Sequence, residues 1–277
     1  WLGPDDAAYT ATAMAQEILA KRYELQYVLY LLALHRLLKL RLPAFREGLR
    51  EQQSNPKYLE LSFEERLALL VDQECTRRQD NHIRHALHAA AFPIRAAPED
   101  LDLSPARGFD RRQILELYQC AWIGCHLNIL VLGPTGSGKS FAACSLGTAA
   151  VRLGYSVRYF HTSRLLHTLE QTRQEAAYPN LLRSLARTDL LILDDWMRDP
   201  LTQFNAQDIL EVLDDRFGHA STIVVAQMPV SEWFSQIPNP TLADAILDRL
   251  VHTAYRIQLS GESQRKLRSP IRTMPNT

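Results

Sequence analysis

Net charge is the first thing this chain of 277 residues lacks: 31 Lys and Arg balance 31 Asp and Glu, so overall charge selects no class of partner. Lysine is scarce too, five residues against 26 arginines. Arginine suits bidentate contacts to phosphate and carboxylate, though it is also an ordinary surface residue. Only the tail 263–277 is one-signed, with four basic residues and no acidic one. Cysteine is sparse: Cys75, Cys120, Cys125 and Cys144 form no C-x-x-C pair, and no histidine stands beside them at a zinc-site spacing. That excludes a disulfide framework and leaves four buried thiols in a reducing cytosol as the expectation. Long apolar runs are absent. The most apolar early run, Tyr27 to Leu34, ends at His35 and Arg36, far short of the roughly 20 residues a membrane span needs. No signal-peptide pattern opens the chain. It begins at Trp1 rather than Met, which points to a missing or altered start. No repeat or low-complexity segment is visible. A cytoplasmic, globular protein without a membrane partner is expected, and 46% hydrophobic with 22% charged residues excludes a disordered or collagen-like chain.

What is present divides along the chain. Residues 11–41 are rich in Leu, Ala, Tyr and basic residues, lack Pro and Gly, and read as helix. Pro43 interrupts, and Ala44 to Gln53 continues as a short helical segment. Ser62-Phe63-Glu64-Glu65 fits a capping box opening a second long helix, which runs to about Ala90 and is stopped by Pro93. Residues 93–107, with Pro93, Pro98 and Pro105, read as a linker. Beyond Gly108, short apolar runs at 127–132, 156–160, 190–193, 222–226 and 254–259 alternate with helix-length amphipathic stretches. Strands alternating with helices imply a parallel sheet covered on both faces. The expected organisation is an unplaced helical extension over 1–31, an all-α domain over 32–92 separable at the linker 93–107, an α/β ATPase domain over 108–262 and a basic tail over 263–277.

Gly133-Pro134-Thr135-Gly136-Ser137-Gly138-Lys139-Ser140 fits G-x-x-x-x-G-K-[S/T] between a strand and a helix, the context a P-loop requires. Gly136 and Gly138 permit a tight loop whose amides face phosphate, and the helix that follows aims its positive end at the same anion. Lys139 reaches the β- and γ-phosphates and Ser140 ligates Mg²⁺. In Leu190-Leu191-Ile192-Leu193-Asp194-Asp195, two carboxylates end a buried strand, expected beside the P-loop strand. Asp194 is placed to hold Mg²⁺ and Asp195 to orient the attacking water. Gln227 also ends a strand-like run and could reach the γ-phosphate. Arg249 is flanked by Asp244 and Asp248, which could simply pair with it. Arg265 sits in a run that could be only a basic tail.

Taken together, the P-loop, Asp194-Asp195-Trp196, the run from Gln227 to Trp233 and the block from Pro240 to His252 resemble the IstB family, the transposition helper ATPases of certain insertion sequences. Arg41 to Leu49 and Leu61 to Leu67 resemble its N-terminal domain. The resemblance spans about residues 32–268. The family is similar to the DnaC-type helicase loaders within the AAA+ ATPases. It implies an AAA+ P-loop fold preceded by an all-α domain, with Asp194 and Asp195 as the Walker B pair, Gln227 as sensor 1, Arg249 as an arginine finger serving a neighbouring subunit, and Arg265 as sensor 2. It implies Mg²⁺-dependent ATP hydrolysis, a homo-oligomer with nucleotide at subunit interfaces, duplex DNA and a cognate transposase. Met197-Arg198 stands where a Gly-containing turn is expected, and Gln264 where the sensor-2 motif has an apolar or aromatic residue.

The stretches 36–50, with Arg41 and Arg46, and 263–272, and the pair Arg77-Arg78, are candidate phosphate contacts. Arg164, opening the helix after the second strand, is the best single candidate, since the equivalent region of DNA-encircling relatives faces the pore. Readout is expected through phosphate and shape. Three functions compete: a transposition ATPase, a helicase loader with a different client, and an ATP-binding DNA scaffold without turnover. The 240–252 block favours the first.

Overall fold

The computed structural model describes residues 40–104, 107–252 and 254–260, with the single positions 12, 16 and 19. Nearly all of the extension 1–31 and of the expected helix 11–41, and the tail with Arg265, lie outside these residues. The chain forms two compact units, residues 1–82 and 83–277.

The first unit contains α1 (Pro43–Ser54) and most of α2 (Phe63–Ala90). Pro43 occupies the first position of α1, where no N–H donor is needed. Leu42, at the N-cap of α1, offers no side-chain acceptor. Glu74 of α2 replaces it: its Oε2 accepts from the Ala44 and Phe45 amides at 3.0 and 3.2 Å. The capping box of α2 forms as expected, with Glu65 N donating to Ser62 Oγ at 3.2 Å and Ser62 N to Glu65 Oε2 at 2.8 Å.

The second unit adds α3 (Arg111–Leu117), α4 (Ala121–Gly124), β1 (Asn128–Leu132), α5 (Lys139–Arg152), β2 (Val157–His161), α6 (Thr162–Gln174) and α7 (Tyr178–Ala186). There follow β3 (Leu190–Trp196), α8 (Gln203–Arg216), β4 (Ser221–Ala226), α9 (Pro240–Val251) and β5 (Ala254–Gln258). All five expected strands form one parallel sheet in the order β2-β3-β4-β1-β5. One expectation is corrected. The strand ending in Asp194 does not adjoin the P-loop strand, because β4 lies between β1 and β3.

Alternation along the strands supplies both faces. Ile129, Val131, Ile192, Ile223, Val225 and Ile257 pack with α3, α4 and α5 on one face. Leu130, Leu132, Leu191, Leu193 and Val224 pack with α6 to α9 on the other. The segment read as a linker is part of the first cluster: Ala96 is buried and Leu101 and Leu103 pack against it, as do Ile83, Leu87 and Phe92 ahead of it. Two thiols are buried, Cys120 and Cys144, but Cys75 and Cys125 are exposed, contrary to the expectation of four buried ones. Among the described residues no helix is long and apolar enough to cross a membrane.

Candidate nucleotide site

In a parallel sheet every strand delivers its C-terminal end to the same edge. Here that edge gathers the loop after β1, Gln227 after β4, Asp194 and Asp195 near the end of β3, and His161 at the end of β2. The loop turns at Gly133 (φ 150°), where a Cβ would come within 2.6 Å of Leu259 O, and at Gly138 (φ 96°), the residue before α5. L-residues with side chains rarely adopt these backbones. Lys139 is the first residue of α5 and is buried; its Nζ donates to Pro134 O at 2.9 Å. Burial pushes its pKa below that of free lysine, and the charges of Asp194 and Asp195 oppose that shift. The lysine's loop and the two carboxylates lie at the same edge of the sheet although β4 separates their strands. The Ser137 hydroxyl is buried with no hydrogen-bond partner among the described residues.

The register of β3 against β4 slips between Leu193 and Trp196, so the two aspartates occupy a bulge. Bulges re-aim side chains and are frequent beside active sites. Asp194 is buried and held from three directions. Tyr159 OH donates to its Oδ2 at 2.5 Å, Asp195 N to its Oδ1 at 2.8 Å, and Thr162 Oγ1 to its carbonyl at 2.9 Å. The Tyr159 phenol is pushed far up by burial and by that hydrogen bond, and so remains a donor. Each carboxylate oxygen of Asp194 keeps a lone pair for a cation. Among the described residues no cluster of three or more His, Cys, Asp or Glu could hold a metal. Ser140 at the start of α5 and Asp194 offer a hydroxyl and a carboxylate, the oxygen donors that suit Mg²⁺ when phosphates and waters complete its shell. Asp195 has a left-handed backbone (φ 55°) and lies half-exposed, 3.4 Å from His161 Nδ1. Gln227 reaches the P-loop directly, where its Oε1 accepts from Thr135 Oγ1 at 2.6 Å, and among the described residues its NH₂ has no partner.

Arg249 lies elsewhere. Its carbonyl accepts from Asn128 Nδ2 at 2.8 Å, and Asn128 opens β1. The P-loop follows the other end of that five-residue strand, roughly 13 Å away at about 3.3 Å per residue. Its guanidinium pairs with Asp214 of α8 and donates to Ala245 O at 2.9 Å. The expected alternatives, Asp244 and Asp248, do not hold it; Asp248 faces His252 at 3.8 Å.

A family of proteins described as IstB-like ATP binding protein matches residues 35–270. The chain belongs to this family. It is 46% identical over 213 residues to a protein named as an insertion sequence ATP-binding protein of Sinorhizobium fredii, a match covering 77% of this chain and 87% of that one. It is 41% identical over 199 residues to a counterpart in insertion sequence IS1162 of Pseudomonas fluorescens, covering 72% and 86%. AMPPCP-bound DnaA from Aquifex aeolicus shares its fold at 14% identity and a TM-score of 0.52, over 64% of this chain and 54% of that one. DnaI shares it at 17% and 0.51, over 64% and 94%. The chain is thus an ATP-binding, IstB-like protein with the AAA+ P-loop fold.

Within this IstB-like chain the two tryptophans of the motifs meet in the core. Trp196 and Trp233 are buried with ring centroids 5.9 Å apart. Of the candidate DNA contacts, Arg164 is exposed in the first turn of α6. Arg77 pairs with Glu47 at 3.1 Å. Arg78 pairs with Glu74 at 3.0 Å and donates to the carbonyl of exposed Arg41 at 3.3 Å. Arg46 is half-buried, with no partner for its Nε among the described residues. Sequence reasoning missed Tyr159, His161 and Thr162. His161 and Thr162 stand at and just after the end of the strand beside the two aspartates and Tyr159 in its middle, a placement visible only once the β2–β3 pairing was known.

Proposed function

We propose that this chain is a cytoplasmic, Mg²⁺-dependent ATPase of DNA transposition, whose active site is completed by a neighbouring copy. On this reading, ATP state controls its assembly on duplex DNA and the recruitment of a cognate transposase. The observation that carries the oligomeric part is the position of Arg249 at the end of β1 opposite its own P-loop. From there its guanidinium serves another subunit's nucleotide rather than its own. The insertion-sequence relatives support the transposition role over a helicase loader.

The loop amides from Gly133 to Ser140 and the positive end of α5 bind the phosphates. Pro134, Thr135, Gly136, Ser137 and Gly138 shape that cradle. The cleft between Leu101, Arg107 and Phe109 on one side and Gly138 and Phe141 on the other takes the nucleoside. Lys139 brings positive charge to the β- and γ-phosphates. Bound Mg²⁺, on Ser140 and Asp194, supplies further charge stabilisation. Asp195 accepts a hydrogen bond from the attacking water and turns it toward phosphorus. Gln227 donates its NH₂ to the γ-phosphate. Arg249 of the adjoining copy stabilises charge in the transition state, an effect worth about 10³–10⁵ in rate in phosphoryl-transfer enzymes. Arg265, by its place in the family pattern, adds a contact from the tail. Arg164, with Arg41, Arg46, Arg77 and Arg78, is proposed to meet DNA phosphate.

Phosphate release with and without duplex DNA tests this. Lys139→Ala is expected to lose ATP affinity, and Asp195→Ala to keep affinity while losing turnover. Arg249→Ala and Lys139→Ala subunits, each nearly inactive alone, are expected to regain activity when mixed. A mixture that still assembles on DNA yet stays inactive would overturn the shared site.

A further inference from the structure

Asn128 is a buried amide, 7% exposed, at the first position of a strand whose other residues are all apolar. Both ends of a buried amide need partners, and here they join three elements. Its Oδ1 accepts from Thr222 N of β4 at 2.9 Å, and its Nδ2 donates to Arg249 O of α9 at 2.8 Å. Carbonyls in the last turn of a helix have no partner within it, and α9 ends at Val251. Asn128 thus ties the open end of α9 to β1. The Arg249 side chain is steered separately, by the Asp214 ion pair and by the Phe217 ring 6.0 Å away.

We infer that Asn128 is the positioning residue of Arg249, fixing the backbone from which the guanidinium reaches a neighbouring copy's nucleotide. The inference rests on the reading that Arg249 acts between subunits. The side chain chemistry is selective. An aspartate at 128 still accepts from Thr222 N but cannot donate to Arg249 O. Asn128→Asp therefore leaves the β4 bond in place and removes the α9 bond.

The test is complementation with ATP, Mg²⁺ and duplex DNA. Asn128→Asp alone is expected to bind ATP within about twofold of the unaltered chain and to lose at least about tenfold in kcat. Mixed with Lys139→Ala subunits, which carry an intact Arg249, it regains activity; mixed with Arg249→Ala subunits, it does not. Asn128→Ala, which adds no buried charge, is expected to give the same pattern and serves if Asn128→Asp fails to fold. Unchanged turnover in both variants overturns the inference. So does loss of ATP binding, or failure of Lys139→Ala to rescue while the Arg249→Ala and Lys139→Ala mixture is active. If that reference mixture is itself inactive, the intersubunit reading falls and takes this inference with it.

Discussion

Tyr159 places a phenol where a strand facing the core would otherwise hold an aliphatic residue, and the phenol donates to Asp194. Tyr159→Phe keeps the ring and leaves Asp194 Oδ2 without that donor. An unsatisfied buried acceptor costs about 1–3 kcal/mol, so the melting temperature should fall in thermal denaturation. ATP with Mg²⁺ should recover part of the loss, because a bound cation occupies the freed lone pair. An unchanged melt in the absence of nucleotide would show that the phenol contributes nothing to holding Asp194. Met197 illustrates the opposite balance. It stands in the left-handed region (φ 53°), where a glycine was expected, yet its side chain is 3% exposed. Backbone strain of about 1–2 kcal/mol is offset by burying a side chain worth about 1.5–3 kcal/mol. The chain thus keeps the turn without the residue that turn favours.

At the scale of elements, α1 is stabilised from outside itself. Burial works against the Glu74 charge, but the Phe45 and Ala44 amides and the Arg78 guanidinium outweigh it and hold its pKa below 4.5. A carboxylate with a depressed folded pKa contributes stability above its unfolded pKa and loses it as pH falls through the folded value. Glu74→Gln should therefore speed hydrogen exchange at Ala44 and Phe45 near neutral pH, by an amount equivalent to about 1–2 kcal/mol. The difference should shrink as pH drops through the lowered folded value. A difference that persists at low pH would point to packing instead of charge. This cap was not legible in the sequence, because 29 residues separate Phe45 from Glu74. What was legible was local. The Ser62–Glu65 box, the five apolar runs and the P-loop each depend on neighbours within a few residues. The insertion of β4 between β1 and β3, the Tyr159 contact and the Asp214 partner of Arg249 depend on pairings across the sheet. The tryptophans of the Asp194-Asp195-Trp196 and Gln227–Trp233 runs pack on each other. That is a core constraint carried beside a chemical one.

For the whole molecule, the division after His82 sets where it can be cut. Residues 83–92 supply buried Ala90 and the partly buried Ile83, Leu87 and Phe92 to the core of the second unit. A chain of residues 83–277 should keep ATP binding and lose DNA-dependent assembly, as read by sedimentation with labelled duplex. A chain starting at residue 92 should melt lower, since it gives up buried Ala90 and the partly buried Ile83 and Leu87, the last two each worth less than the roughly 1.5–3 kcal/mol of a fully buried aliphatic side chain. Equal melting of the two truncations would contradict the packing of α2's end. Binding of the full chain to DNA should fall steeply as salt rises from about 50 to 200 mM. The opposed positions of the P-loop and Arg249 on β1 carry a further consequence, one of counting. On the proposed function a subunit gives its arginine at one end of the strand and receives a neighbour's at the other, so contacts run head to tail. Such contacts close into rings or continue as open filaments. An open row always leaves one terminal P-loop unserved, so a pair of subunits works at half capacity. Turnover per subunit then climbs toward a plateau as the row lengthens, and only a closed ring reaches that plateau at finite size.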